Sequence, residues 1–332
     1  VVLLTLIALS IMAAPISNIK FSQGDSRMLP ANNPAAVATA VQAERFPGQT
    51  GNPIEIIIFN GANKTSEIAE YATKIAATKG IVAVVPPQVI NDDVRLVAYQ
   101  SMLPRTPESQ ELIHNLRDIT APAGTLIGGV AADYTDSQDG ISSTLPWAFG
   151  WITLSVLILV FIFTGSIILP IKAVLLNVLS LAATMGVLTW VFIDGNLRWL
   201  VGDFTLTGSV DTSIVILIAV VVFGLSMDYE LFLLSRIREE HLQGRSNIES
   251  VATGLQRSAR IITAAAVLLA VVFAAFVTSG VTSIKSMGFG VALAVILDAT
   301  VIRALLVPAL MRLFGERNWW APKSLQRFTL KH

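Results

Sequence analysis

FGLSMDYELFLLSRIREE, residues 223–240, sets an Asp-Tyr-Glu triplet near the end of an apolar run and follows it with a dense row of charges. With the apolar residues before it, the stretch forms one span over about 213–236. A membrane-crossing helix needs ~20 predominantly apolar residues. Four further runs meet that requirement, at about 146–169, 170–193, 258–280 and 287–312. The opening run VVLLTLIALSIMAA (1–14) is shorter. It is expected to be a sixth span whose first turns are missing because the sequence begins inside a longer protein. The alternative, a signal-peptide core ending at Ala13-Ala14, lacks a charged segment before the run.

Composition agrees with the runs. Of 332 residues, 53% are hydrophobic and 14% charged, and mean hydropathy is +0.67. Soluble domains carry ~25% charged residues. The balance argues against a simple soluble enzyme, a disordered chain, or a nucleic-acid binder, which needs a basic excess against phosphates. The formal net charge of zero conceals a division: residues 15–145 carry a net −4 and residues 146–332 a net +4. Cysteine is absent, which excludes disulfides, thiol chemistry and cysteine-ligated metal.

Short basic loops collect on the cytoplasmic side. Arg236, Arg238, Arg245, Arg257 and Arg260 lie between two spans, and Arg317, Lys323, Arg327 and Lys331 follow the last one. The opposite loops hold only Arg198 and Lys285, beside Asp194, Asp203 and Asp211. Both chain ends are therefore expected inside and residues 15–145 outside.

The outside segment has the texture of an α+β domain. Strands are expected at IEIIIF (54–59), IVAVVP (81–86), RLVAYQSML (95–103) and TLIGGVA (125–131). Helices are expected after Thr65, which stands as a possible N-cap with Gly80 as a stop, and from Pro107. The order β-α-β-β-α-β is the split βαβ pattern of ferredoxin-like domains. A further helix, PAAVATAVQAERF (34–46), precedes it. No phosphate loop, HExxH or nucleophile elbow is present, and His114, His241 and His332 stand far apart, so no histidine metal site is expected and His114 reads as an exposed helix residue.

The chemistry is expected within the membrane. Asp228 lies eight residues before Arg236, roughly 12 Å along a helix. A carboxylate there costs at least ~2.5 kcal/mol on insertion scales, so it should face other helices or a wet path. Burial and a nearby cation pull its protonation in opposite directions, so the site could load and release protons. The plainer alternative is a structural carboxylate paired with arginine or backbone. Tyr229 is placed to bond a carboxylate on a neighbouring helix. Glu230 is expected nearer the edge, meeting interfacial water or an arginine. In LDATVIRALLVPALMRL (297–313), Arg303 stands at nearly the depth of Asp228 and Asp298 about five residues further out. Five residues turn an α-helix through a net angle of about 140°. Asp298 and Arg303 should therefore find partners on other helices, Arg303 near Asp228, where it would favour release of the proton; a purely structural role for both is the alternative. Pro308 is expected to kink the last span, and the small residues Ser258, Ala259, Ala264 to Ala266, Ala274 and Ala275 to let helices pack closely. The RIREEHLQG run (236–244) reads as an interfacial helix within a charged loop that is mostly a solvated face.

GLSMDYELFLLSRIREE (224–240), LDATVIRALLVPALMRLFG (297–315) and the trailing WWAPK (319–323) together resemble the MMPL group of the resistance-nodulation-division transporters. The resemblance covers essentially the whole chain, and the Asp-Tyr stretch is its specific part. It implies a six-span, sterol-sensing-domain-like helical bundle with an extracytoplasmic ferredoxin-like porter domain. The corresponding division is a truncated first span (1–14), an outer domain (15–145), a five-span bundle (146–315) and a cytoplasmic tail (316–332). It implies a proton-motive-force-driven exporter of lipids or other hydrophobic compounds in a bacterial inner membrane, not an enzyme, with no cofactor. Asp228 and Tyr229 receive the role of proton relay, with Asp298 and Arg303 as supporting charges. The implied partners are protons, an apolar substrate, membrane lipids and a second half-transporter, either a missing repeat or a second copy. The rival expectation is a lipid-sensing scaffold without transport.

Overall fold

The computed structural model describes residues 1–46, 52–322 and 324–325; Lys323, Arg327, Lys331 and His332 lie outside them. The chain begins with α1 (Val2–Ala13), a 3₁₀ turn (Ala14–Asn18) and α2 (Pro34–Arg45). Then come β1 (Ile54–Ile58), α3 (Thr65–Ala76), β2 (Ile81–Ile90), β3 (Asp93–Gln100), α4 (Pro107–Arg117) and β4 (Thr125–Gly128). The remainder is helical: α5 (Val130–Thr164), α6 (Ile168–Phe192), the short α7 (Arg198–Val201), α8 (Thr212–Leu242), α9 (Asn247–Phe276) and α10 (Thr282–Leu297). A π-helical stretch (Asp298–Leu306), α11 (Val307–Phe314) and a 3₁₀ run (Gly315–Trp319) close it. Two compact units result, one from residues 1–19 with 147–332 and one from residues 20–146.

In the 20–146 unit four strands form one antiparallel sheet in the order β2-β3-β1-β4. Ile54 pairs with Ala98 and Ile58 with Val94 on one side of β1, while Glu55 pairs with Gly128 on the other. Alternate side chains of β1 face the core, so Ile54, Ile56 and Ile58 are fully buried against α3 and α4 residues including Ile68, Ile75, Leu112 and Leu116. Each such side chain contributes about 1.5–3 kcal/mol through burial. On the other side of the sheet Arg95 grips Glu55 through two hydrogen bonds of 2.8 Å, which holds the guanidinium above its ordinary pKa. Tyr71 enters the core, where burial pushes its phenol up. The β2–β3 register shifts between Val85 and Gln88, across Pro86-Pro87. Prolines have no N–H for the ladder and are tolerated on an edge strand such as this one.

The expected strand boundaries move slightly. Strand β2 extends to Ile90, while β4 ends at Gly128 because Gly129, at φ +99°, turns the chain into α5. Thr65 is the first helical residue of α3; Lys64 stands at the cap position without a side-chain cap bond. Asn33 and Thr106 do cap α2 and α4, each followed by a proline at the first helical position. His114, on α4, is half-exposed and lies 3.1 Å from the Asp139 carboxylate.

Among the described residues five helical stretches are long and apolar enough to cross a membrane: 130–164, 168–192, 212–242, 247–276 and 282–319. The run at 2–18 is helical and apolar but shorter. The first break falls at Gly165–Ile167, not after residue 169. Gly165 takes φ +70°, and Ser166 Oγ accepts the free amides of Ile168 and Leu169 at 3.1 and 3.3 Å. Only residues 243–246 separate α8 from α9, so the charged loop is mostly helix. Ser246 and Glu249 close the N-terminus of α9 as a reciprocal capping box. Along α9 the buried seam is Ser250, Gly254, Ser258, Ile262 and Ala266. Of the small residues expected to pack, Ser258 and Ala266 lie in this seam, whereas Ala264, Ala274 and Ala275 are exposed.

Several glycines set helix approach, Gly254 and Gly186 among them. A Cβ on Gly254 would lie 2.9 Å from the Ile237 backbone of α8, and one on Gly186 of α6 would lie 2.2 Å from the Met12 carbonyl of α1. Gly150 of α5 has open space around it. Gly186→Ala is expected to lower stability by about 1–3 kcal/mol through overpacking, seen as a fall in thermal midpoint in detergent. Gly150→Ala should leave the midpoint unchanged; equal midpoints for both variants would contradict the close α1–α6 packing.

Candidate functional site

Helix α8 starts where Asp211 accepts the amides of Ser213 and Ile214, at 2.8 and 3.4 Å, and it then runs 31 residues. Residues three and four apart share a helix face. Ser226, Tyr229 and Glu230 accordingly point toward the bundle interior, with Ser226 and Glu230 buried and Tyr229 half-buried. Asp228, two positions from Ser226, falls on the opposite side and is exposed. It makes no ion pair or side-chain hydrogen bond among the described residues. Exposed positions Ser213, Leu217, Val220, Gly224 and Ser235 continue its side of the helix.

The last long helical stretch supplies the opposing charges, and here the sequence expectation is corrected. Asp298 and Arg303 form an ion pair with each other, and both are buried. The 140° separation holds for an α-helix, but residues 298–306 are wound as a π-helix, with the Val307 amide donating to Ile302 five residues back. One π turn brings positions i and i+5 onto the same face. Pro308 follows at the second position of α11. Its missing N–H and its ring disfavour a regular α-turn onto Ala304, in keeping with the wider winding just before it.

The pair is completed by α8. Ser226 Oγ donates to Asp298 Oδ1 at 2.8 Å, and Arg303 Nη2 donates to the Ser226 carbonyl at 2.8 Å. The guanidinium carbon lies 5.1 Å from the centre of the Tyr229 ring, a cation–π arrangement. A small cavity of about 10 Å³, room for about one water molecule, adjoins Tyr229, Asp298 and Arg303. The arrangement brings together three of the four residues singled out in the sequence. Asp228 is left outside: the carboxylate paired with Arg303 is Asp298, so the expected Arg303–Asp228 encounter is not made within this chain.

Glu230 departs from the expected edge position. It is 6% exposed and accepts a hydrogen bond of 3.3 Å from Asn177 Nδ2 of α6, and of the expected partners, water or an arginine, it is Arg303 whose charge acts on it. Asn177 was visible in the sequence as a lone amide in an apolar run, and Ser226 as a hydroxyl two residues before Asp228. Their roles depend on which helices become neighbours.

Two further buried charges lie near the ends of the spans. Glu240 is paired with Arg245, at 2.8 Å, and with Arg257, which tie the end of α8 to its connection and to α9. The charged run is therefore not only a solvated face. Lys285 sits inside α10 and donates to the Val201 and Asp203 carbonyls at 2.8 and 3.0 Å, so it belongs to the packed bundle and not to a free loop. Among the described residues no group of three His, Asp or Glu side chains could hold a metal ion.

Comparison with known proteins places this arrangement. A profile of the MMPL family matches residues 27–329. The chain is 37% identical over 321 residues to the membrane protein SCO6666 of Streptomyces coelicolor, covering 96% of this chain and 44% of that protein. It is 34% identical over 343 residues to the trehalose monomycolate exporter MmpL3 of Mycobacterium tuberculosis, covering 97% and 36%. It is 36% identical over 336 residues to the mycolic acid-containing lipids exporter MmpL11 of Mycolicibacterium smegmatis, covering 97% and 35%. The chain thus spans less than half the length of these relatives.

The ion pair yields a stability prediction. Arg303→Met leaves Asp298 buried without its cation and should cost about 3–5 kcal/mol. The double variant Asp298→Asn with Arg303→Met should recover much of that loss. Thermal or denaturant unfolding in detergent measures both, and a double variant no more stable than Arg303→Met would contradict a direct pairing.

Proposed function

The chain belongs to the MMPL family, and from that premise we propose that it forms one half of a proton-driven transporter that exports lipids or other hydrophobic compounds across a bacterial inner membrane. The observation that carries the proposal is the contrast on α8: Asp228 unpaired on an open face, Tyr229 and Ser226 gathered under the Asp298–Arg303 pair on the other. An unpaired carboxylate in a span is costly in lipid and useful to a proton path. The open stripe of α8, with Gly224 one turn away and nothing near its Cα face, suits close approach of a second bundle. The share of the relatives' length supports that half-sized reading.

In this reading a proton entering from outside binds Asp228. The neutral side chain lets the two half-bundles repack, and the proton leaves inward by way of the Tyr229 and Arg303 side. Asp298 and Ser226 fix Arg303 so that its charge acts from a set position, while Tyr229 links the two faces of α8. Arg303 acts on Asp228 through Tyr229 and through the repacking, since its direct carboxylate partner is Asp298. Both chain ends are assigned to the cytoplasm, in accord with Arg238, Arg245 and Arg257 at one end of α8 and α9. The 20–146 unit is assigned to the outside as a ferredoxin-like porter domain, in accord with its β-α-β-β-α-β order and its antiparallel sheet. The names of the mycobacterial relatives favour a lipid as cargo. A lipid sensor without transport would have no use for the Asp228 charge.

The test is proton-gradient-dependent efflux from cells expressing the intact protein, comparing wild type with Asp228→Asn at matched membrane abundance. Loss of efflux in the variant is the expected result. Efflux at the wild-type rate would remove the relay from this residue.

A further inference from the structure

Glu230 is buried on the inner face of α8, on the side of the helix away from Asp228. It borders a small cavity of about 10 Å³, room for about one water molecule, with Lys172 and Leu176 of α6 and with Leu234, Val307 and Met311 around it. Lys172 and Glu230 do not form an ion pair among the described residues; they face the same space from different helices. Lys172 is held by its other contacts. Its ammonium donates to Asn318 Oδ1 and lies 5.1 Å from the centre of the Phe314 ring. Asn318 is itself fully buried, and both the Met311 and Gly315 carbonyls accept from its amide at 2.6 Å. The segment after α11 therefore fixes where the ammonium stands relative to the cavity. On the carboxylate side, Asn177 supplies one hydrogen bond, and Arg303 and Asp298 are the other charges that act on Glu230.

We propose that Glu230 is a second proton-carrying carboxylate of this bundle, emptied through the cavity it shares with Lys172. The proposal rests on the proton-driven reading and adds its inward leg. When Glu230 gives up its proton, the acid O–H bond breaks and a new O–H bond forms to a water in the cavity, giving a hydronium that passes its proton on to solvent. A carboxylate remains, stabilised across the cavity by the Lys172 ammonium, and no electrons change hands. Asn177 holds the carboxylate in place but carries no charge of its own. Lys172, positioned by Asn318, controls how readily the proton departs.

The test is infrared difference spectroscopy of the full chain in vesicles of phosphatidylethanolamine and phosphatidylglycerol, following the carbonyl stretch of protonated carboxylic acids through a pH titration. A band that disappears in Glu230→Gln and survives in Asp228→Asn is expected. In Lys172→Met it should persist to higher pH, since a facing cation has been removed, and Lys172→Arg should restore the wild-type titration. The absence of any Glu230-dependent band, or an unchanged titration in Lys172→Met, would overturn the proposal. Proton flux into the same vesicles separates it from the relay assignment. If Asp228→Asn leaves flux intact while the Glu230 band titrates as expected, the role of Asp228 falls and that of Glu230 stands. If Asp228→Asn abolishes flux and Glu230→Gln leaves it at the wild-type rate, the reverse holds.

Discussion

The Asp298–Arg303 pair is the constraint around which the bundle is organised. Two opposite charges inside apolar helices are tolerable only when each satisfies the other and the remaining donors and acceptors are also met. The π winding makes the mutual contact possible, and Ser226 of α8 supplies the hydroxyl and the carbonyl that complete it. Because Ser226 must lie against this pair, the rotation of α8 is fixed. That rotation in turn sends Tyr229 under the guanidinium, Glu230 toward α6, and Asp228 to the open side.

The two faces of α8 then have different chemistry. The inner face holds polar groups with partners in the same chain: Ser226 with Asp298, and Glu230 with Asn177. Within the apolar part of the helix the outer face holds Asp228 among apolar and small residues, a combination that neither lipid nor a self-contained bundle favours. The proposed second half-bundle would cover it; the matched relatives are more than twice as long as this chain. In the proposed transport cycle Asp228 stands on the open face of α8, with the Asp298–Arg303 pair fixed on the other side of the helix.

Much of this was legible in the sequence. The apolar runs located the long helices because a bilayer imposes a length that few other settings require. The β-branched, apolar run IEIIIF and the Pro107 start of α4 marked the second unit, because strand composition and helix capping are local properties. The pairing of Asp298 with Arg303 was not legible from periodicity, since it depends on a local change of winding that a count at 3.6 residues per turn excludes. In retrospect, opposite charges five apart followed closely by Pro308 are the signal. The burial of Glu230, Glu240 and Lys285 was hidden for another reason. Each lies near the end of an apolar run, where exposure is the default, and each is covered by a helix or turn distant in sequence: α6 over Glu230, α9 over Glu240, and the turn after α7 over Lys285.

In the proposed function a proton gradient drives movement of an apolar cargo through this bundle. The most direct measurement is lipid efflux from cells carrying the wild-type protein, recorded together with internal pH while the gradient is collapsed stepwise by a protonophore at constant ATP. The account predicts that efflux falls in step with the gradient and resumes when the gradient is restored. Efflux that continues at full rate without a gradient would contradict it.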